Sequence, residues 1–231
     1  MDIKSFLLSF KPHKSLTTPA EKLRSGLAGG IAILLLTLTL HYLPQAGFPL
    51  FIVSSMASSA ALLYATPHSP LAQPWNFAGG HLVSALAGLA CSALIPEPAL
   101  AAGAAVGSAI LLMQYLNCLH PPSAATALIM VLGSSQFHDM SWLLAFAIMA
   151  ANVGISLLLA LAINNLLPGR RYPMHALYNQ PPAQPAPFEQ TDIEWALQQM
   201  NSEIDVSKED LVEIYRLALQ QARTRTANVS P

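Results

Sequence analysis

The sequence predicts an all-α, polytopic helical membrane protein. About six hydrophobic segments form two similar three-segment halves, and short cytoplasmic amphipathic helices follow at the C-terminal end. Hydrophobic residues make up 53% of the 231 residues and charged residues only 10%, against about 25% in soluble domains. The missing charge is localised, because Glu97 and Asp139 are the only formally charged residues between Ser25 and Gly169. A water-facing surface of that size would need more charge, so this central block is predicted to face lipid.

Prolines and short polar stretches divide the central block into its segments. In chain order the predicted segments are 23–43, 48–65, 77–95, 99–119, 121–133 and 142–167. The fifth is predicted to be partial, because it is too short to cross about 30 Å of hydrocarbon as a helix. The chain is thus divided into a basic N-terminus (1–22), a transmembrane domain (23–173), a proline-rich linker (174–190) and a helical tail (191–231).

Basic residues flank the central block at both ends, with a cluster before residue 25 and Arg170–Arg171 after the last segment. By the positive-inside rule both termini are predicted to be cytoplasmic, which requires an even number of crossings. The stretch "SSAALLYA" (58–65) in the first half resembles "SAATALIM" (123–130) in the second. If all six segments cross, the halves are inverted repeats, an arrangement common in transporters. If segments two and five are re-entrant, the repeats are parallel, and the charge pattern allows both.

Small residues recur four positions apart on three of the segments. Such stripes let helix backbones approach closely in lipid, where the hydrophobic effect does not drive helices together. They predict tight packing within the bundle and are also consistent with a homodimer. The stripes are Gly26 and Gly30; Gly80, Ser84, Gly88 and Ser92; and Gly103 and Gly107.

The C-terminal tail has a different composition from the membrane block. The stretch "YNQPPAQPAPFEQ" (178–190) predicts an extended linker. Thr191 is predicted to cap a short helix that ends at Met200, and Ser207 with Asp210 resembles the capping box of a second helix. That helix would carry an apolar face, which needs to pack on the first helix, on the cytoplasmic side of the membrane domain or on another subunit.

The most informative motif is His120-Pro121-Pro122, which interrupts apolar sequence. A residue before proline is disfavoured in helical geometry, and proline suits a first helical turn, so a helix is predicted to begin at Pro121 or Pro122. The backbone N–H groups of residues 123–125 would then be unpaired and, with the helix dipole, would attract an anion. The alternative is a turn whose histidine is merely hydrogen-bonded. Breaks inside membranes usually line cavities, which favours a site.

Polar side chains near this break and in the first half complete the predicted binding site. The hydroxyls following Pro49 are either ligands or bonded back to helix carbonyls, and the histidine of the "GGH" stretch is either a proton or anion partner or an interfacial side chain. The predicted substrate-binding residues are His120, Pro121, Pro122, Ser123, Thr126, Asn117, His81, Ser54, Ser55, Ser58 and Ser59.

Other function classes find no support in the sequence. There is no HExxH, GxSxG, Walker or CxxC motif, and Cys91 and Cys118 are isolated within apolar segments, which indicates neither a disulfide framework nor a zinc site. The sequence therefore predicts no enzyme, no catalytic residue, no metal or cofactor and no nucleic-acid partner.

Several motifs in order resemble the HPP family of integral membrane proteins over residues 23–173. They are "LHPPSAATAL", the upstream "SSMASSAALLYATPHSPLAQPWNFAGGH" and the closing "INNLLPGRRYP". The resemblance implies roles for His120-Pro121-Pro122, for 69–74 and for 79–81. Cyanobacterial and chloroplast-envelope relatives are implicated in nitrite uptake, which makes nitrite a candidate substrate. Many bacterial members continue into paired CBS domains; this chain ends without them, so no adenine-nucleotide regulation is expected.

Together these features predict a multi-pass permease or channel of the bacterial inner membrane, with both termini cytoplasmic. Its partners would be the lipid bilayer and a small monovalent anion, with nitrite the leading candidate. Two alternatives stay open: a membrane-embedded sensor or scaffold that acts through its cytoplasmic tail, and a channel for a neutral small solute.

Overall fold

The computed structural model describes residues 2, 3, 7, 10, 17–42, 53–133, 141–174, 211 and 215. These residues form helices and no strand, which confirms the predicted all-helical polytopic class. The helices are α1 (Pro19–Tyr42), α2 (Ser55–Ala65), α3 (Pro74–Leu94), α4 (Pro98–Tyr115), α5 (Ser123–Leu132) and α6 (Trp142–Leu166), and a 3₁₀ turn covers Pro70–Ala72. The predicted linker and tail helices lie outside the described residues, apart from Leu211 and Tyr215.

Four of the helices are long and apolar enough to cross a membrane, namely α1, α3, α4 and α6. The other two are short, with 11 residues in α2 and 10 in α5. At 1.5 Å per residue they extend about 16 Å and 15 Å, half the thickness of a hydrocarbon core. The prediction of a partial fifth segment is therefore confirmed, and the described part of the second segment is equally short.

Local sequence signals set the helix ends. Proline is the first residue of α1, α3 and α4, where its missing N–H is not needed and its fixed φ suits the helix. Glu97 caps α4, since its carboxylate accepts a hydrogen bond of 2.6 Å from Leu100 N. Ser141 caps α6 in the same way, through Leu144 N at 3.3 Å. These caps satisfy amide groups that have no partner within the helix.

Contacts between helices give their relative directions. Trp75 at the start of α3 bonds to Leu116 just after α4, whereas Cys91 near the end of α3 faces Ser108 in mid-α4, so these two helices are antiparallel. Along α6, Asn152 bonds to Val53 and Asn164 to Leu63, so α2 is parallel to α6. Along α3, Gly80 faces Ser123 and Gly88 faces Ala127, so α5 is parallel to α3.

The start of α1 meets the end of α6 through Glu21 and Arg170, so those two helices are also antiparallel. Tyr172, just after α6, bonds the carbonyl of Ala72, just before α3, so α3 and α6 are antiparallel too. The six helices therefore alternate in direction along the chain. Helices α1–α3 form one half and α4–α6 the other, and the second half has the opposite orientation. One end of the bundle, here called the terminal face, gathers the first turn of α1, the 66–73 loop, the 116–122 connection and residues 167–174.

The packing pattern of the two halves is also related. Helix α1 packs on α2 and α6, and α4 packs on α5 and α3; α3 contacts α6, and α2 contacts α5. Exchanging α1, α2 and α3 for α4, α5 and α6 leaves this pattern unchanged. The directions and contacts of the described helices fit the inverted repeat. The condition attached to it, six full crossings, is not met by the helices themselves, because α2 and α5 are half-length.

The small-residue stripe of α3 allows close packing, as predicted. A Cβ placed on Gly80 would lie 2.7 Å from Ser123 Oγ, and one on Gly88 would lie 2.5 Å from the Ala127 carbonyl oxygen. The corresponding prediction for α1 and α4 is wrong within the chain, because a Cβ on Gly26, Gly30, Gly103 or Gly107 would have no described neighbouring atom within 4 Å. The small-residue stripe therefore allows the backbones of α3 and α5 to approach closely.

Replacing Gly88 with alanine is expected to destabilise the bundle by about 1–3 kcal/mol, the usual effect of overpacking. The new methyl would meet backbone, which cannot rotate away as a side chain can. Thermal unfolding of purified protein in one detergent measures the effect. Gly103→Ala is the matched control, expected to be neutral or stabilising because alanine is the better helix former. Equal melting temperatures for the two variants would contradict the close packing.

A buried ion pair closes the terminal face. Arg170 Nε donates to Glu21 Oε1 at 2.8 Å and Nη2 bonds the same oxygen; Nη2 also donates to Ser25 Oγ at 2.9 Å and Nη1 to Asn164 Oδ1 at 3.2 Å. Of the basic pair that follows the last segment, Arg170 is therefore buried and paired, and Arg171 is exposed. The start of α1 and the segment after α6 lie at the same face of the bundle. That this face is cytoplasmic stays a prediction.

Candidate functional site

Two histidines and three hydroxyl side chains meet inside the bundle, below the terminal face. All five are at most 1% exposed. They come from three helices and from the connection before α5, and we call them the histidine cluster: Ser55 and Ser59 on α2, His81 on α3, His120 before α5 and Thr126 on α5. Polar groups are costly inside a membrane bundle unless they are hydrogen-bonded.

Ser59 joins the two histidines. Its Oγ lies 2.8 Å from His81 Nε2 and 2.9 Å from His120 Nε2. The other ring nitrogens have their own partners, since His81 Nδ1 lies 2.8 Å from Thr126 Oγ1 and His120 Nδ1 lies 2.8 Å from the Leu71 carbonyl oxygen. Thr126 Oγ1 is in turn 2.8 Å from Ser55 Oγ. The five side chains thus form one continuous hydrogen-bonded chain that ends on the 66–73 loop.

The bond between His120 and the Leu71 carbonyl determines which atoms donate and which accept along this chain. A carbonyl oxygen only accepts, so His120 carries a proton on Nδ1, and when neutral its Nε2 accepts from the Ser59 hydroxyl. The single proton of Ser59 is then used, so His81 Nε2 donates to Ser59 Oγ. His81 Nδ1 accepts from Thr126, which accepts from Ser55. The tautomers of both rings are therefore assigned from their partners.

Glycine and aromatic packing hold the two rings together. Gly79 approaches the 116–122 connection so closely that a Cβ there would lie 3.0 Å from Cys118 Cβ. A Cβ on Gly80 would lie 2.8 Å from His120 Cβ. The "GGH" stretch thus removes the bulk that would separate His81 from His120. The Phe77 ring contacts both imidazoles edge-on, with ring centroids 5.0 Å and 5.4 Å away.

Comparison with known proteins places this arrangement in a family. The profile described as "HPP, transmembrane region" matches residues 14–173, most of the chain. The chain belongs to the HPP transmembrane family. This confirms the resemblance seen in the sequence and the multi-pass membrane character of the protein.

Two curated relatives are transmembrane proteins of Dictyostelium discoideum. One is 40% identical over 128 residues, which cover 54% of this chain and 45% of the relative. The other is 36% identical over 154 residues, which cover 65% of this chain and 49% of the relative. The chain therefore spans about half the length of these HPP-like relatives, and their names state no activity. No solved structure matches the chain.

The HPP signature does not form the anion nest that the sequence predicted. Helix α5 begins at Ser123, and the amides of residues 123, 124 and 125 donate to the carbonyls of residues 120, 121 and 122 at 2.9 to 3.2 Å. The first turn is thus closed by bonds between residues three apart, which leaves these donors unavailable. The signature instead positions the His120 side chain, whose neighbour Pro121 is exposed.

The structure divides the remaining predicted site residues. Ser54 and Ser58 are exposed on the side of α2 that faces away from Ser55 and Ser59, so their assignment to the site was wrong. Asn117 is exposed as well and adopts a φ of 52°, a left-handed conformation that asparagine tolerates. It shapes the turn after α4 and does not join the cluster.

Ser123 and Pro122 lie beside the cluster and do not join its hydrogen bonds. Ser123 is fully buried, and its Oγ is the only buried side-chain oxygen or nitrogen within the described residues that has no hydrogen-bond partner. Pro122 is partly buried and provides the cap position of α5. An unsatisfied buried hydroxyl costs about 1–3 kcal/mol, so Ser123 keeps an unused donor and acceptor beside the cluster.

The loop that ends the hydrogen-bonded chain contains most of the 69–74 stretch for which the family resemblance implied a role, although no side chain in it indicated that a backbone carbonyl would meet the cluster. Leu71 contributes only its carbonyl oxygen, in the 3₁₀ turn Pro70–Ala72. The next carbonyl, of Ala72, accepts at 2.8 Å from the Tyr172 hydroxyl, and Gln73 Oε1 accepts at 2.9 Å from Met174 N. Burial raises the pKa of Tyr172, so its hydroxyl stays protonated as a donor.

The cluster is closed to solvent in this structure. A cavity of about 10 Å³ borders Ser59 between α1, α2 and α6, which is about the volume that one water molecule requires. Among the described residues, no group of three or more His, Cys, Asp or Glu side chains could hold a metal ion. The groups that the cluster presents are hydroxyls and imidazoles, which can form hydrogen bonds and exchange protons.

Proposed function

We propose that this HPP protein is a permease that carries a small monovalent anion together with a proton. The observation that supports this most is the bridge from His81 through Ser59 to His120, buried inside a bundle of membrane-length helices. Ionisable residues in such positions mark ion or proton pathways more often than they serve packing.

The charges of the bundle explain why a proton would accompany the anion. The buried fixed charges among the described residues are Glu21 and Arg170, which neutralise each other at the terminal face. An anion in the bundle interior would lack a counter-charge, and an unpaired buried charge is prohibitively costly. A protonated histidine supplies the positive charge and removes it again after release. The transported pair is then neutral.

The position of the cluster fits alternating access. It lies where the short helices α2 and α5 meet α3, and the two halves of the bundle run in opposite senses. In transporters with inverted repeats, substrate sites form near discontinuous helices at the interface between the repeats. Movement of one half against the other would expose the cluster to each side in turn.

Nitrite is the first substrate to test, because relatives in the cyanobacteria and the chloroplast envelope are implicated in its uptake. It is small and planar and accepts hydrogen bonds, which suits the hydroxyls of Ser59, Thr126 and Ser123. Formate has the same charge and a similar shape, so it is the second substrate to test.

Uptake by proteoliposomes containing the full chain tests the proposal. Nitrite, formate, nitrate, chloride and urea are compared, with and without an inwardly directed proton gradient. We expect saturable nitrite uptake that formate competes with and that the proton gradient accelerates. Uptake of urea alone, unaffected by anions, would instead favour the neutral-solute channel. Uptake no faster than in protein-free liposomes for every solute would contradict the permease and favour the sensor or scaffold.

A further inference from the structure

We propose that the Ser59 hydroxyl is the proton switch between His81 and His120, and that the Pro70–Ala72 turn is the gate at which His120 exchanges its proton. This inference rests on the proposed function, because it names the path of the co-transported proton. Its first test, however, does not require transport.

The starting state is the neutral chain described above. His81 Nε2–H donates to Ser59, Ser59 donates to His120 Nε2, and His120 Nδ1–H donates to Leu71. Every proton along this line points toward the terminal face. When the bundle opens to the other side, Ser55 takes up a proton from water and passes its own proton to Thr126, which passes its own to His81 Nδ1. Each hydroxyl breaks one O–H bond and forms another, and His81 becomes a cation with both nitrogens protonated.

The transfer step moves one charge and changes no oxidation state. The N–H bond of His81 Nε2 breaks as its proton forms a bond to Ser59 Oγ, while the original Ser59 proton forms a bond to His120 Nε2. His81 returns to neutral and His120 becomes the cation. The donor–acceptor distances of 2.8 Å and 2.9 Å on the two sides of Ser59 Oγ are normal hydrogen bonds, short enough for direct transfer.

Ser59 has a second acceptor that suits the charged state. Its Oγ lies 3.1 Å from the carbonyl oxygen of Ser55, one turn earlier in α2. When His120 Nε2 carries a proton it no longer accepts and instead donates to Ser59 Oγ. The Ser59 hydroxyl then donates either to His81 Nε2, which has lost its proton, or to this carbonyl. One serine thus satisfies both protonation states of His120, which a residue serving packing alone would not need to do.

Leu71 controls the exit of the proton. The proton on His120 Nδ1 points at the Leu71 carbonyl, which cannot take it up, so release toward the terminal face requires the turn to move. The turn is itself held by the segment that follows α6, because the neighbouring Ala72 carbonyl accepts from the buried Tyr172 hydroxyl. Opening this turn and releasing the proton are therefore a single event, which would prevent a proton leak through a closed permease.

Other titratable groups surround the pair without sharing its hydrogen bonds. Within the described residues, Cys118 packs beside Gly79, Tyr64 lies on α2 near Ser59, and Tyr172 bonds the 66–73 loop. His68 and the Glu21–Arg170 pair lie at the terminal face. Burial, and next the charge of Arg170, lower the pKa of His68, so His68 does not supply a competing positive charge near neutral pH.

The first test is the tautomer of each ring, measured by ¹⁵N NMR on histidine-labelled protein in lipid nanodiscs at neutral pH. His81→Gln and His120→Gln identify the two signals. We expect His120 to carry its proton on Nδ1 and His81 on Nε2. The opposite tautomer on either ring, or rapid exchange between tautomers on both, would overturn the inference whether or not the protein transports anions.

The second test compares substitutions on adjacent residues of α2. Ser59→Ala removes the switch, Ser59→Thr keeps a hydroxyl, and Ser58→Ala is the matched control on the exposed side. Proton influx is followed with a pH-sensitive dye inside the liposomes, alongside anion uptake. Proton-coupled flux should fall at least about tenfold in Ser59→Ala, as expected for a lost proton-transfer group, and recover at least partly in Ser59→Thr. Ser58→Ala should match wild type.

The outcomes separate the two proposals. If the wild-type protein carries anions and the Ser59→Ala variant keeps its full proton flux, the switch is overturned and the permease proposal stands. Wild-type protein that carries no solute overturns the permease, while the tautomers still decide the hydrogen-bond direction on which the switch depends. Failure of Ser59→Thr to recover any flux, in a variant with wild-type tautomers, also counts against the hydroxyl as the transferring group.

Discussion

Substituting His120 by asparagine or by glutamine is expected to lower anion flux by about two orders of magnitude, the contribution typical of a positioned proton-transfer group. Neither amide can be protonated near neutral pH, so neither supplies the positive charge that accompanies the anion. The expectation follows from the place of His120 at the end of the hydrogen-bonded chain, between Ser59 and the Leu71 carbonyl.

The two substitutions separate the structural bonds of His120 from its chemistry. The asparagine Nδ2 can occupy the place of the imidazole Nδ1 and donate to Leu71. The glutamine side chain reaches the place of Nε2 and can accept from Ser59. We therefore expect His120→Asn to keep the 66–73 loop attached and to retain more thermal stability than His120→Gln, although both lose flux.

His41→Gln is the matched control, because His41 lies exposed at the end of α1, outside the cluster. It should transport at the wild-type rate. Near-normal flux in a well-inserted His120→Asn variant would show that the proton does not pass through this ring, and the role of His120 would then be limited to anchoring the loop. Uptake in proteoliposomes, normalised to inserted protein, makes the comparison.

Sequence patterns predicted the helices well because proline and charge mark their ends in this chain. Prolines begin three of the long helices, and the charge-poor block between Ser25 and Gly169 contains all four long helices except the first turns of α1. The direction of the repeats needed long-range contacts, such as those of Asn152 and Asn164 with α2. Asparagines in membrane segments look alike in sequence whether they line a path or hold helices together; these two hold helices together.

The site was only partly predictable, for two physical reasons. Helix α2 consists almost entirely of small and apolar residues, so the sequence does not show which face is buried. The pattern therefore predicts Ser54 and Ser58 as binding residues together with Ser55 and Ser59. Helix α5 begins with bonds between residues three apart, so the amides of its first turn are not free. The rule that helix N-termini attract anions holds only where those donors are open.

The half-length of α2 and α5 explains how the cluster can exist at all. A helix that spans the bilayer satisfies its own backbone and presents few groups to its neighbours. Where a helix begins inside the bundle, the chain before it can bring a side chain such as His120 into the interior. The second helix break lies before Ser55, whose hydroxyl begins the hydrogen-bonded chain, so both breaks contribute to one site, as the inverted arrangement requires.

The second large effect is expected at the terminal face, where Arg170 pairs with Glu21. Replacing Arg170 with alanine should destabilise the protein by about 3–5 kcal/mol, because it leaves a buried carboxylate unpaired. Glu21 would keep only Arg24, 3.6 Å away, whose side chain is 45% exposed. For a chain of this size the loss corresponds to a fall in melting temperature of roughly 10 °C.

Arg171→Ala is the matched control, since this neighbouring arginine is exposed, and it should change stability by no more than about 0.5 kcal/mol. The double variant Glu21→Gln, Arg170→Met should recover most of the loss, because removing both charges leaves neither unpaired. Thermal unfolding of the three proteins in one detergent decides the matter. If Arg170→Ala and Arg171→Ala have the same melting temperature, the Glu21–Arg170 pair contributes nothing to the stability of the terminal face. If the double variant melts as low as Arg170→Ala, the loss comes from the hydrogen bonds of Arg170 to Asn164 and Ser25 rather than from the stranded carboxylate.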